Sequence, residues 1–198
     1  MRLMKSVVVS AVALAALSGC ALTTEHVQLQ YAPQAVVAPL AGAGSISVSV
    51  QVVDQRQDKK IGSKKNGFGM EMAPILAADD VSGTVRQALE RELRARGFQL
   101  ADAAAVVSIA ADLTRFYNDF KMGVFAGDAV ADLNLSITVK SRQGQLLYSR
   151  HLAAQGVETN IQLATGNNAR IALNRALENG MKSLFEDRNF IAALLAAA

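Results

Sequence analysis

The sequence has no tryptophan, two histidines and a single cysteine. One cysteine excludes an intramolecular disulfide, and no spacing of Cys and His residues is typical of a zinc site. His26 and His151 leave little material for general acid–base catalysis. Seven Phe and three Tyr are the only aromatic residues, so the core must be mainly aliphatic. We therefore expect a domain that is stabilised by burial alone and uses no metal or other cofactor.

Net charge is also scarce. The formal charge is +3, from 20 basic and 17 acidic side chains, but Arg2 and Lys5 lie in a segment that we expect to be removed. Subtracting these two leaves 18 basic residues against 17 acidic ones, a balance of about +1 that creates no strong field. This excludes a strong electrostatic attraction to nucleic acid, and we expect no nucleic-acid partner.

The chain begins with an export signal. Arg2 and Lys5 form a positive region, and residues 7–17 form an apolar run shorter than the ~20 residues that span a bilayer. Leu-Ser-Gly-Cys follows at residues 17–20 and is typical of a bacterial lipobox, whose cysteine is lipidated and becomes the new N-terminus. The pattern predicts a signal peptide over residues 1–19 and a lipid on Cys20. An ordinary signal peptide followed by an incidental cysteine is the alternative.

The residues after Cys20 indicate a location. Aspartate directly after the lipidated cysteine retains a lipoprotein in the inner membrane in the usual bacterial scheme, whereas Ala21 and Leu22 stand here. We therefore expect a lipid-anchored protein of the Gram-negative outer membrane whose domain faces the periplasm. Residues 20–44, with Pro33, Pro39 and an Ala-Gly stretch, predict a lipidated tether, part of which lies against the domain. Residues 45–198 predict a single periplasmic domain.

The hydrophobic pattern of this domain predicts strands and helices. Apolar and polar residues alternate over residues 46–52, about 105–115, 129–140 and 145–153, which predicts strands. Apolar residues at helical spacing predict helices over about 80–96 and 167–185, with a short helical tail beyond 189. Polar loops are expected between the first strand and first helix, and over 117–128. The order β-α-β-β-β-α predicts an α+β domain, a small, mainly antiparallel sheet with two helices on one face.

Candidate reactive groups are few and scattered. No serine-nucleophile elbow, zinc-binding helix or complete phosphate-binding loop occurs. The acid–base candidates are four aspartates and one histidine: Asp112, Asp119, Asp128, Asp132 and His151. Nothing in the sequence fixes two of them within the ~5–10 Å that glycoside hydrolysis requires, so solvated surface charges are the favoured interpretation.

Two further features have local structural interpretations. Asp54 and Arg56 follow the first strand on one face and predict an ion pair or an anchor for the following loop. Val124 and Phe125 lie between the glycines of the loop at 121–128. That loop is either an exposed apolar finger for a protein or lipid partner or a hairpin end folded onto the core. We treat Val124 and Phe125 as candidate partner contacts.

Five short segments follow one another along the chain in an order that is typical of one family. They are the lipobox at 17–20, Asp-Gln-Arg at 54–56, the stretch at 89–98, Ala-Asp-Leu at 131–133 and the stretch at 168–177. Together they resemble the YajG-like family of bacterial outer-membrane lipoproteins. The resemblance implies a lipidated Cys20 and transfers no catalytic residue, because members of the family are largely uncharacterised.

Three function classes follow. The leading hypothesis is a non-enzymatic lipoprotein whose periplasmic domain contacts a protein or polymer of the cell envelope. The alternative is a binding module that holds an acyl chain or cell-wall fragment between sheet and helices and assists envelope transport or assembly. An apolar cavity would favour this alternative, and a filled core would count against it. The third class, a hydrolase, requires Asp or His side chains that converge in one cleft.

Overall fold

The computed structural model describes residues 22–33, 37–66, 68–102, 105–123 and 126–196. Within these ranges the chain forms eight strands and three α-helices. The strands are β1 (Glu25–Val27), β2 (Ser47–Asp54), β3 (Gly62–Lys65), β4 (Glu71–Ala77), β5 (Gln99–Leu100), β6 (Val107–Met122), β7 (Gly127–Ser141) and β8 (Leu146–Ile161). The helices are α1 (Val81–Ala95), α2 (Gly166–Phe185) and α3 (Arg188–Leu195). None of the described helices is long and apolar enough to cross a membrane.

Three long antiparallel strands form the centre of the sheet. On β7, Leu135 lies opposite Leu113 of β6 and Leu152 of β8, and all three side chains are buried. On each strand, the residues next to these leucines point to the other side of the sheet because strand side chains alternate. The helices cover the buried side: α1 lies against β2 and β5, and α2 lies across β6, β7 and β8.

The other edge of β6 is shared by two strands that both run parallel to it. β2 pairs with the first half of β6, up to Asp54 opposite Leu113, and β3 meets the second half at Asn118. Residues 55–61 leave the sheet between these two pairings. β5 extends the sheet beyond β2, while β4 and then β1 extend it beyond β3.

Helix α2 packs very closely on the sheet. Four of its buried positions are small: Ala169, Ala172, Ala176 and Gly180. A side-chain carbon added at Gly156 of β8 would lie 2.1 Å from the carbonyl oxygen of Ala172. The helix backbone therefore contacts the strand backbone directly, and only glycine fits at position 156.

The predicted α+β class and mainly antiparallel sheet are confirmed, but the predicted element order and the number of two helices are wrong. The sheet is mixed and has eight described strands, whereas four were predicted. The strands that were not predicted are β1, β3, β4 and β5. β6 continues to Met122 through part of a predicted loop, and α3 is a third helix. These strands were missed because β1 and β5 are very short and β3 is polar, with no apolar alternation to indicate it.

The sheet face opposite the helices is not covered by any of the described helices. It is named the open face and is formed by outward-pointing residues of β2, β6, β7 and β8. Its central members are Gln51, Ala110, Asp112, Asn134, Ser136, Thr138, His151, Ala153 and Gln155.

Candidate functional site

The first described residues of the chain are built into the domain. Cys20 lies outside the described residues, but β1 begins at Glu25, five residues later, and pairs in parallel with β4. Glu25 accepts a hydrogen bond from the backbone N–H of Gly166 at 2.5 Å, at the start of α2. Its other carboxylate oxygen lies 2.9 Å from Nζ of Lys64, whose side chain is 7% exposed. The carboxylate is favourably placed, since a helix N-terminus carries partial positive charge.

Residues 28–31 continue this contact between the two long helices. Leu29 is buried, and the backbone N–H of Gln30 donates to Oδ1 of Asn174 on α2 at 3.0 Å. On α1, Nη1 of Arg91 donates to the carbonyl of Tyr31 at 2.7 Å. Residues 25–31 therefore form a strap that fastens the start of the chain to the domain, and they are named the N-terminal strap.

A buried carboxylate closes the end of the strap. The Tyr31 hydroxyl donates to Glu92, a buried residue of α1 that also forms an ion pair with Arg96. Burial raises the pKa of Tyr31 well above its usual range, and the hydrogen bond to Glu92 raises it further. Tyr31 therefore remains a neutral donor at physiological pH. The strap residues were not predicted individually, because their partners are distant in sequence.

The predicted ion pair between Asp54 and Arg56 is present. Nη2 and Nε of Arg56 both lie 2.9 Å from carboxylate oxygens of Asp54. Nη1 of the same side chain donates to the carbonyl of Phe116 at 3.1 Å. Burial alone would raise the pKa of Asp54, but hydrogen bonds from Arg56 and Lys59 outweigh it and lower the pKa to about 2.

This pair has a structural role in the sheet. The backbone N–H of Gln55 donates to the carbonyl of Leu113, and the backbone N–H of Asn118 donates to the carbonyl of Ile61. The pairing along this edge of β6 is therefore interrupted between Leu113 and Asn118. The Phe116 carbonyl lies in this gap, and Arg56 supplies the donor that a neighbouring strand would otherwise provide. The geometry accounts for the Asp-Gln-Arg segment without a ligand.

Three of the acid–base candidates each contact a different partner. Asp132 contacts Arg115 at 3.1 Å, Asp119 contacts Lys65 at 2.5 Å, and Asp128 accepts from the backbone N–H of Asn160 at 3.3 Å. No group of three His, Cys, Asp or Glu residues that could hold a metal ion occurs among the described residues.

Asp112, Ser136 and His151 are adjacent on the open face. Ser136 lies opposite both of the others in the sheet register, and its hydroxyl is 2.9 Å from Nδ1 of His151. In a serine hydrolase the histidine lies between the serine and the carboxylate, so that it can accept the serine proton and be oriented by the acid. Here the serine lies in the middle. Asp112 and His151 are also exposed rather than enclosed in a cleft.

The described surface includes shallow grooves lined mainly by polar residues. One, of about 590 Å³, lies between the N-terminal strap and α1, and its lining includes Gln28, Gln30, Asp80, Gln87 and Arg91. Where α2 meets β8, the two backbones are in direct contact at Gly156 and leave no room for an acyl chain between them. This close packing counts against the alternative of an acyl chain held between sheet and helices.

The predicted contact loop with Val124 and Phe125 lies outside the described residues. Its flanks are described: β6 ends at Met122, and β7 begins opposite it at Gly127. Hence the structure fixes where this loop starts and ends, and the partner contact remains a prediction.

Comparisons with known proteins show which family this is. A family model described as an uncharacterised lipoprotein matches residues 33–195. No curated protein matches the chain. Protein XCC0632 of Xanthomonas campestris has a similar structure, with 13% identity, a TM-score of 0.53 and coverage of 86% of this chain and 96% of that one. A minor lipoprotein of Acinetobacter baumannii has 13% identity, a TM-score of 0.42 and coverage of 76% and 96%. The first likeness shows a shared fold, and the family match shows that this chain belongs to the YajG-like family of uncharacterised lipoproteins.

Proposed function

We propose that the protein is a lipoprotein of the Gram-negative outer membrane, held by a lipid on Cys20. Its periplasmic domain works through non-enzymatic contacts with an envelope protein or polymer. Family membership supports the lipid anchor, as does the lipobox at 17–20. Ala21 and Leu22 in place of aspartate support sorting to the outer membrane.

The observation that carries the contact role is the open face. It extends across four strands, and its central residues are small or polar, with hydrogen-bonding side chains on three adjacent strands such as Asp112, Ser136 and His151. A groove of about 500 Å³ crosses one part of it, lined by residues including Gln51, Ser108 and Thr138. An open polar surface of this kind suits a polar protein or polymer better than an acyl chain, which requires apolar walls.

The arrangement of reactive groups supports a non-enzymatic role. Catalysis requires a nucleophile, a base and a stabilising group that converge on one reacting atom. Asp132 instead forms an ion pair with Arg115. His151 lies on an open surface, where its Nδ1 shares a hydrogen bond with the Ser136 hydroxyl. We therefore expect His151→Ala and Asp132→Asn proteins to fold and to keep the function of the intact protein. Complete loss of function in either folded variant would favour a hydrolase instead.

A cell-wall fragment is the second candidate ligand. The groove beside the N-terminal strap exposes Gln28, Gln30 and Arg91, which offer amide and guanidinium donors to a polar sugar or peptide. The close packing of α2 on β8 argues against the acyl-chain form of this alternative but not against a surface-bound fragment. Titration with soluble cell-wall fragments tests it. Gln87→Ala, at an exposed groove residue outside the strap contacts, should weaken binding, and unchanged binding would contradict this candidate.

Replacement of Cys20 tests the anchor. The Cys20→Ala protein should lose acylation and appear as soluble periplasmic protein or unprocessed precursor, because the thiol that carries the lipid is gone. Ala21→Ser is the matched control, since it changes the neighbouring residue and keeps the cysteine. A Cys20→Ala protein that still floats with outer membranes would contradict the anchor.

Crosslinking in intact envelopes tests the contact surface. A photo-crosslinking residue at Ala110 lies on the open face, whereas one at Arg86 lies on the exposed side of α1. Both positions are exposed, so they differ mainly in the face that they sample. The proposal expects a discrete crosslinked product from position 110 and none from position 86. Equal products at both positions would contradict a specific open-face contact.

A further inference from the structure

The sheet register brings several loops to one end of the molecule. Glu25, Ile75, Gly62 and Asn118 lie side by side across four strands. Beyond this row in one direction, β3 and β4 run to the turn at 66–70, β6 runs to Met122 and β8 runs to Ile161. β1 is parallel to β4, so the chain before Glu25 leads to the same end. This end is named the anchored edge, because it is the one nearest to Cys20 in the chain.

Exposed apolar side chains are concentrated at the anchored edge. Seven large apolar side chains are exposed among the described residues, and five of them belong to this end: Leu22, Phe68, Met70, Met72 and Leu163. Phe68 is 91% exposed and Leu163 is 69% exposed. Of the other two, Val53 lies on the open face and Leu146 lies at the opposite end of the sheet. A cluster of this kind marks an interaction site, because water-exposed apolar patches are unfavourable.

Both apolar loops are held in place by asparagine side chains. Oδ1 of Asn66 accepts hydrogen bonds from the backbone N–H groups of Phe68 and Met70, both at 3.0 Å. Nδ2 of Asn168 donates to the carbonyl of Leu163 at 2.9 Å. The loops are therefore formed structures that project Phe68 and Leu163 outward.

Chain length identifies what lies against this edge. Cys20 precedes Leu22 by two residues and Glu25 by five, which spans at most about 7 Å and about 18 Å in an extended chain. Glu25 is fixed to Lys64 and to the start of α2. A lipid on Cys20 therefore holds the anchored edge at the membrane surface and keeps the opposite end away from it.

The charges near the edge are matched. Lys65 contacts Asp119, Lys60 contacts Glu71, and Lys121 lies opposite Asp128 in the register of β6 and β7. This leaves little net charge to attract anionic headgroups, so burial of apolar surface must supply the attraction.

We propose that the anchored edge docks onto the lipid monolayer that holds Cys20, with Leu22, Phe68, Met70 and Leu163 buried at the boundary between headgroups and acyl chains. This inference rests on the proposed lipid anchor. It adds that the domain has a fixed orientation on the membrane. The strands run away from the bilayer, and the open face stands free toward the periplasm.

Site-specific fluorophores test the orientation in the mature lipidated protein. Cys20 is the only cysteine and its thiol is blocked by the lipid, so Phe68→Cys, Leu163→Cys and Leu146→Cys each provide one labelling site. Leu146 is the matched control, an exposed leucine at the opposite end of the sheet. Each protein is reconstituted into phosphatidylcholine vesicles with and without phosphatidylglycerol, and quenching by spin-labelled acyl chains is measured.

The expected result is strong quenching at positions 68 and 163 and none at 146, in both kinds of vesicle. Vesicles that float with the protein but give no quenching at 68 and 163 would overturn the docking and leave the lipid anchor standing. Quenching that requires phosphatidylglycerol would overturn apolar docking in favour of charge attraction. Protein that fails to float with vesicles would contradict the anchor itself, and the docking with it.

Discussion

At the scale of single residues, the two faces of β7 make opposite demands on their side chains. Leu135 is 1% exposed and lies between Leu113 and Leu152, whereas neighbouring Asn134 belongs to the open face. We expect Leu135→Ala to lower the free energy of unfolding by about 2–5 kcal/mol, because the removed atoms leave a cavity. Asn134→Ala should change it little. Denaturant melts that rank the two variants the other way would mean that the faces are reversed.

Asn118 is a polar residue on the buried face of the sheet, where the neighbouring side chains are apolar. It is fully buried on the helix-covered side of β6, and its side-chain amide has no hydrogen-bond partner among the described residues. A buried polar group without a partner costs about 1–3 kcal/mol. We therefore expect Asn118→Val to raise the free energy of unfolding by about 1 kcal/mol, measured by denaturant titration. A clear loss of stability would mean that the amide makes a favourable contact in the folded protein.

Asp54 gives the pair with Arg56 a pH signature. Its pKa falls from 3.8 in the free residue to about 2 in the folded protein, so the folded state stabilises the ionised carboxylate more than the unfolded chain does. This stabilisation adds about 2 kcal/mol to the free energy of unfolding. It is present above pH 3.8 and is lost as the pH falls through about 2.

Comparison with Asp54→Asn isolates this effect from the other carboxylates. The variant should be less stable than the natural protein at neutral pH, and the difference in free energy of unfolding should vanish near pH 2. A difference that does not change between neutral and acidic pH would contradict the assignment.

At the scale of elements, one ion pair fixes the start of the N-terminal strap. Glu25→Gln removes the carboxylate that lies beside the buried Lys64 ammonium and the start of α2. We expect it to lower the free energy of unfolding by about 1–3 kcal/mol and to increase hydrogen exchange in β1. Glu71→Gln is the control, because its pair with Lys60 is more exposed and should contribute little. Equal effects of the two substitutions would mean that the strap is only loosely held.

The elements also show how far the sequence could be interpreted. β7 and both long helices were predicted closely because each repeats its apolar period without interruption. β6 was cut short because a bulge near Thr114 separates the buried Leu113 from the next buried residue, Phe116, by three positions instead of two. The alternation therefore changes phase there, and the second half of the strand resembles a loop.

The strap and its surroundings could not be predicted for a different reason. Gly-Ser-Lys-Lys at 62–65 has the composition of a mobile basic loop, yet Ser63 and Lys64 are buried in β3. Lys64 is accommodated by Glu25, a residue far away in the chain. Burial that depends on a distant partner leaves no local signal. For the same reason the apolar residues at the anchored edge were recognised only once the register had brought their loops together.

At the scale of the whole molecule, anchor and fold act together. The strap leaves four residues, 21–24, between Cys20 and the first strand. The proposed lipid on Cys20 would therefore hold the domain close to the bilayer rather than on a long tether. In the proposed function, the open face then lies at a fixed distance from the bilayer, where it would meet partners in the periplasm. The proposed location and orientation of the domain both depend on the chemistry of one residue, Cys20.

Mass spectrometry of the mature N-terminal peptide, from protein purified out of the outer membrane, tests that chemistry most directly. We expect a peptide that begins at Cys20 and carries the added mass of acyl chains, recovered from the outer-membrane fraction. A mature chain that begins elsewhere, or an unmodified Cys20 in soluble periplasmic protein, would contradict it.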